Sequence, residues 1–354
     1  MPFINDQIKA NEEQIERQKD PTSRFTFKTE DVMDHLTSSI YGQDHVLKHL
    51  EDMLHIVKAD IGDPYRPLYV ALFLGPTGVG KTETVRALAK SIHGDPEHYC
   101  RVDMNTLSQE HYAAALTGAP PGYVGSKEGS SIFDNELIEG SFSKPGIVLF
   151  DELEKASEPV IQALLNVFDT GTLILTSGEQ RIDFHNTLIF MTSNIGSRDM
   201  GDYIDPTVRK KMKRLFHRSK PTHWKMKEDS LVKQLINEEL EDTFPPEFIN
   251  RIDDVLTFQW LKKDTMREIL ASQLHLLNGR LKKKNYHLEV DEDVRQLLIS
   301  KGYDQKYGAR ALKRCLRKYL ELPVALAMRK IPNGALRASL SNGEVVVSPL
   351  EGED

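Results

Sequence analysis

Unbroken apolar runs occur at three places in the first two thirds of the chain, whereas the last third carries its apolar residues at every third or fourth position. The runs are Val70, Ala71, Leu72, Phe73, Leu74; then Ile147, Val148, Leu149, Phe150; then Leu188, Ile189, Phe190, Met191. Runs of four or five bounded by glycine or polar residues read as strands covered on both faces, the pattern of a parallel sheet. A shorter strand is predicted over 99–103. Helical spacing separates and precedes the runs. Val85, Leu88 and Ala89 follow the first one; upstream, Thr29 opens a helix carrying Val32, Met33 and Leu36, which breaks at 40–44 before a second through Val46, Leu47 and Leu50. From Leu256 the helical period takes over, with Met266, Ile269, Leu270, Leu274 and Leu277 on one face, a second face over 294–298 and a third over 310–328. Strands over 336–340 and 345–347, joined by Ser341-Asn342-Gly343, close the chain as a hairpin.

These elements predict an α/β fold with a parallel-sheet large domain over 25–255 and a smaller, mostly helical domain over 256–354. The first 24 residues form a charged arm. Ile4, Ile8 and Ile15 stand there at roughly helical spacing, which fits a frayed helix or a partner-contacting arm. Composition changes little in this picture. With 354 residues, 39% hydrophobic and 28% charged, the chain is long enough for two packed domains. The net charge of −7 argues against a surface that coats nucleic acid, though not against a local basic groove. No apolar run is long enough to span a bilayer, the N-terminus has no signal-peptide core, and Cys100 and Cys315 lack the spacing of a zinc site. Cytosol is the expected compartment.

Chemistry enters at the end of each apolar run. The first passes directly into Gly75-Pro76-Thr77-Gly78-Val79-Gly80-Lys81-Thr82 and then into a helix, which is a P-loop in its required context. The glycines let the backbone turn tightly with its N–H groups inward, and the positive end of the helix faces the same pocket, so a phosphate chain fits there. Lys81 is placed to reach β- and γ-phosphates, and the Thr82 hydroxyl to ligate Mg2+. The second run ends in Asp151-Glu152. Alone, this fits a solvated acidic turn; downstream of a complete P-loop it reads as a Walker B pair, Asp151 for the Mg2+ shell and Glu152 as general base. The third run ends in Thr192-Ser193-Asn194, making Asn194 a candidate for orienting the attacking water. Between them, 116–131 is rich in glycine and proline, with Tyr123 and Val124 at its tip; 171–180 offers a second loop on the same rim.

The motifs IYGQ, GPTGVGKTE, GAPPGYVG, LFDELEKA, DFHNTLIFMTSNIGS, PPEFINRID and GARALKR stand in this order from about Ile40 to about Met328. The ensemble resembles the Clp-type AAA+ unfoldases, in particular the second ATPase module of the bacterial Clp disaggregase. The resemblance implies a P-loop NTPase large domain and a helical lid. It places Ile40 and Tyr41 against adenine, and Pro76, Thr77, Gly78, Val79, Gly80, Lys81, Thr82 and Glu83 around the phosphates. Asn194 becomes sensor 1 and Arg310 sensor 2. Arg251, which by itself fits a surface ion pair equally well, becomes a finger on the neighbouring protomer's ATP. Tyr123 and Val124 become a pore loop that grips polypeptide. The implied machine is a homo-hexamer that threads protein; a motor dismantling one defined assembly, or a nucleotide-gated switch without threading, carries the same motifs.

Departures from that pattern shape further expectations. The segment 198–243 is longer and more basic than the family pattern, with RKKMKRLFHRSKPTHWKMK over 209–227. A solvated loop is the expectation; Trp224 among lysines also suits an acidic partner or single-stranded nucleic acid. The family's adaptor domain, first ATPase ring, coiled-coil middle domain and zinc cluster have no counterpart here, which fits a single-ring protein or an excised fragment; the insert region shows no docking tripeptide for a barrel protease, so remodelling without coupled proteolysis is expected, and no membrane.

Overall fold

The computed structural model describes residues 23–107, 133–174, 181–196, 228–304, 307–331 and 333–350. The chain divides into two units, Met1–Gly75 with Lys81–Phe258, and Pro76–Gly80 with Gln259–Asp354. In chain order the first holds α1 (Thr29–Ser39), α2 (Asp44–Ala59), β1 (Tyr69–Leu74), α3 (Lys81–His93), β2 (Cys100–Asp103), α4 (Met104–Leu107) and α5 (Asn135–Glu139). It continues with β3 (Gly146–Asp151), α6 (Glu158–Thr170), β4 (Thr172–Ile174), β5 (Arg181–Asp183), β6 (Thr187–Ser193), α7 (Glu228–Thr243), α8 (Pro246–Ile249) and β7 (Asp254–Thr257).

Five parallel strands form the main sheet in the order β2, β3, β6, β1, β7. The three apolar runs are its middle, buried along their length up to the half-buried Asp151. Alternation sends their side chains to both faces. On one face Val70, Leu72 and Phe150 share a core with Val167 and Phe168 of α6 and Ile236 of α7. On the other, the Phe73 ring lies 5.3 Å from that of Phe190 and 5.1 Å from that of Phe258. Truncating such a buried ring to alanine costs about 3–5 kcal/mol.

Two parts of this unit differ from expectation. The fifth strand, β7, was hidden because only Val255 and Leu256 are apolar in it and Val255 faces outward at the sheet edge, 37% exposed. The sheet therefore continues past position 255, and the longer segment of the second unit starts at Gln259. Within the segment expected as a solvated loop, Glu228–Thr243 is a helix whose Ile236 and Leu240 are buried. Its docking is specific: Glu239 Oε2 accepts the Gly196 N–H at 2.6 Å, and a Cβ on Gly196 would lie 3.0 Å from Ile236. The basic stretch 209–227 lies outside the described residues.

The second unit holds α9 (Lys263–Lys282), β8 (Tyr286–Val290), α10 (Glu292–Gly302), α11 (Gly308–Leu316), α12 (Leu322–Met328), β9 (Gly334–Ser341) and β10 (Glu344–Pro349). The expected hairpin pairs β9 with β10 around Asn342 and Gly343, whose φ values of 51° and 80° are those a two-residue primed turn requires. β8 adds in parallel to β9. Only Leu288 and Val290 are buried in β8, too short an alternation to mark it as a strand beforehand. Among the described residues, no helix is long and apolar enough to cross a membrane.

Candidate active site

Parallel register brings the ends of the three central strands together. Leu74 stands opposite Ser193, and Phe150 opposite Met191, so Gly75, Asp151, Glu152 and Asn194 leave the sheet at one edge. Open α/β sheets hold their ligands at this carboxyl edge.

At the head of the loop, Gly75 has φ 130°, and a Cβ there would lie 2.5 Å from the Phe258 carbonyl oxygen, so only glycine fits. Lys81, 8% exposed at the start of α3, donates through Nζ to the Gly75 carbonyl and, at 3.1 Å, to Asn194 Oδ1. Thr82 and Glu83 follow in the first turn of α3. Within the second unit, the Gly78 carbonyl accepts the Ala309 N–H at 3.0 Å, and a Cβ on Gly78 (φ 76°) would lie 2.4 Å from the Tyr307 carbonyl oxygen. Arg310 comes next, with an exposed side chain.

The acidic pair is braced from the neighbouring strand. Thr192 is 2% exposed; its hydroxyl donates to Asp151 Oδ1 and accepts the Glu152 N–H at 3.1 Å. That second bond holds Glu152 in the left-handed region, φ 59° and ψ 53°, which a non-glycine residue occupies only when its surroundings fix it. Arg101 of β2 bonds Asp151 Oδ2 at 2.5 Å. Burial disfavours the Arg101 charge, but the hydrogen bond and charge of Asp151 outweigh it, and the guanidinium pKa lies above its ordinary value. The Asn105 amide donates to Glu152 Oε2 at 2.6 Å. Asn194 also bonds Glu154, with Nδ2 to Oε1 at 3.1 Å.

Lys81, Asp151, Glu152 and Asn194 are thus tied into one edge by Thr192, Arg101, Asn105 and Glu154, which motif reading passed over. All four are polar residues on or just beyond the same strand ends, and that position was the available signal. Arg251 stands elsewhere. It follows α8, is half exposed, and pairs through Nε with Asp169 Oδ1 at 2.6 Å. Ile40 is buried at the end of α1, and the Tyr41 hydroxyl bonds the Ser38 carbonyl at 2.6 Å. Tyr123 and Val124 lie outside the described residues.

These residues fit a magnesium nucleotide. Among the described residues no group of three or more His, Cys, Asp or Glu could hold a metal by itself. Mg2+ keeps several waters and takes one or two carboxylates together with phosphate oxygens, a demand that Asp151, with Thr82 in the first turn of α3, would meet.

The chain belongs to the AAA domain family, Cdc48 subfamily, whose profile matches residues 66–255, and it is an ATPase of that family. A second profile, the C-terminal, D2-small domain of ClpB protein, matches residues 261–334. Among relatives, an "ATP-dependent protease ATP-binding subunit-like protein AmiB" of Pseudomonas aeruginosa is 50% identical over 303 residues, 86% of this chain and 80% of that protein. An "ATP-dependent protease ATP-binding subunit-like protein" of Rhodococcus erythropolis is 39% identical, covering 93% of this chain and 92% of its own length. The chaperone protein ClpB of Aquifex aeolicus is 36% identical over 96% of this chain, which spans only 31% of that longer protein.

Proposed function

We propose that this chain is the protomer of a homo-hexameric ring in the cytosol that uses ATP hydrolysis to draw polypeptide through its pore, unfolding or disaggregating it. The observation that carries the reading is the succession of an AAA domain and a ClpB-type small domain along one chain. Bound MgATP supplies the electrophilic γ-phosphoryl group. Ile40 and Tyr41 contact the adenine, and residues Pro76 to Glu83 wrap the phosphates. Lys81 neutralises phosphate charge, and Thr82 and Asp151 hold the Mg2+ shell. Asp151, whose two oxygens accept from Thr192 and Arg101, would help to hold the Mg2+, which would neutralise phosphate charge. Glu152 takes the proton of the attacking water, which Asn194 orients. Arg310 reads the phosphates from the small domain, and Arg251 serves the adjacent protomer's site.

Tyr123 tests the step from ATPase to motor. An aromatic ring grips passing side chains by burying apolar surface, which makes it indifferent to sequence. Tyr123→Ala is expected to hold ATP hydrolysis within a few fold while unfolding of a tagged model protein is lost; Tyr123→Phe keeps the unfolding. An alanine variant that unfolds the substrate as the parent does overturns threading by this residue.

The printed names of the Pseudomonas and Rhodococcus relatives favour a second reading, an ATP-binding subunit that feeds a protease. Degradation of the tagged substrate when a barrel peptidase is added decides between them.

A further inference from the structure

The side-chain amide of Asn194 lies between a cation and an anion of its own chain. Its Oδ1 accepts from Lys81 Nζ at 3.1 Å, and its Nδ2 donates to Glu154 Oε1 at 3.1 Å. The Asn194 backbone N–H points at the same carboxylate oxygen, at 3.4 Å. The two ends of an asparagine amide are nearly identical in shape, so its partners alone decide which way it faces. Turned over, it would set its amino group against the ammonium and its carbonyl against the carboxylate.

Glu154 is well placed to impose that choice. It sits on the single helical turn Leu153–Lys155, which begins directly after Glu152 and is closed by the Lys155 N–H on the Glu152 carbonyl at 2.9 Å. The second carboxylate oxygen, Oε2, is buried and has no hydrogen-bond partner among the described residues, so the carboxylate's hydrogen bonds go to Asn194.

We propose that Glu154 is a positioning residue for ATP hydrolysis, which fixes the orientation of the Asn194 amide and ties the end of β6 to the segment carrying Glu152. This rests on the reading of Asn194 as the group that orients the attacking water. Lys81 serves as the amide's other guide and also as a phosphate ligand. When it turns to phosphate, Glu154 is the partner that keeps the amide in place.

Steady-state ATPase kinetics on the full chain test the proposal with Glu154→Ala, Glu154→Gln, Asn194→Ala and the Asn194→Ala/Glu154→Ala double variant. Loss of a charge-assisted hydrogen bond predicts that Glu154→Ala lowers kcat about tenfold or more, with KM for ATP within about threefold. Glu154→Gln, whose carbonyl oxygen accepts the same bond, is expected within about threefold of the parent. In the Asn194→Ala background, Glu154→Ala is expected to change kcat by less than about twofold, because its effect passes through the missing amide. If the alanine variant does not fold by circular dichroism, Glu154→Asp replaces it under the same expectations, since its shorter side chain withdraws the acceptor. A parental rate in Glu154→Ala overturns the proposal, as does a glutamine variant as slow as the alanine one, or an undiminished effect in the double variant. A parental rate in Asn194→Ala removes the reading of Asn194 itself and the proposal with it.

Discussion

The carboxyl edge of the main sheet and the corner that carries Arg251 are assigned to one reaction and built in opposite ways. At the edge, Lys81 and Thr192 are buried, Asp151 has only 13% of its side chain exposed, and hydrogen bonds cross between strand ends. At the corner, Arg251 and Asp169 leave 50% and 42% of their side chains in solvent and share one ion pair. Arg101, which pairs with Asp151 at the edge, is itself 51% exposed, so the difference lies in the buried hydrogen bonds of Thr192 and not in the ion pairs: a buried group left without its partner costs about 1–3 kcal/mol, whereas an exposed pair is worth about 0–1 kcal/mol. The corner's backbone is nevertheless anchored: Arg66 donates to the Arg251 carbonyl at 3.0 Å and to the Phe168 carbonyl at 3.1 Å. A fixed base under a weakly held guanidinium suits a group that acts outside its own pocket. The edge, by contrast, is braced by hydrogen bonds within the chain.

That contrast can be broken at three places with falling effect. Glu152→Gln keeps the P-loop and removes the proposed general base, so ATP is expected still to bind while hydrolysis falls roughly a hundred- to ten-thousandfold; isothermal titration and phosphate release measure the two halves, and near-parental turnover would move the base elsewhere. Thr192→Val keeps the shape and removes the brace, leaving the Glu152 N–H and Asp151 Oδ1 without their partner. It is expected to cost about 1–3 kcal/mol in urea unfolding and to lower kcat about tenfold; unchanged stability and rate would mean the brace is idle. Asp169→Asn releases the corner's ion pair and is expected to change unfolding free energy by less than about 1 kcal/mol. A larger loss would place Arg251 among structural residues.

Much of the edge was legible in the sequence because it is written contiguously. A five-residue apolar run, a glycine loop and a helix adjoin one another from Val70 to Leu88, and the two other runs deliver their polar ends directly. What stayed hidden depends on register or on edge position. Thr192 and Arg101 become meaningful only when pairing sets Asp151 between them, and the sequence separates them from it by 41 and 50 positions. The strand β7 has a weak apolar signal because one of its sides meets solvent. Asp169 and Arg251 lie 82 positions apart, by subtraction of their numbers, and each fits an ordinary surface residue until their contact is seen. Helix α7 was obscured by its setting, a polar sequence next to a basic one, and is placed by Ile236 and Leu240, with Phe244 buried just past its end.

Whether Arg251 works on a neighbouring protomer is decided most directly by mixing two inactive variants. Arg251→Ala keeps its pocket and lacks the finger, whereas Lys81→Ala keeps the finger and lacks the pocket. Each alone is expected to hydrolyse almost no ATP. Combined in equal amounts and allowed to exchange subunits, half of the pockets are intact and half of the adjoining fingers are intact. About a quarter of the boundaries then pair the two, and about a quarter of parental hydrolysis returns if sites act independently. Absence of any rescue in rings shown by native mass spectrometry to be mixed would contradict a finger acting between protomers.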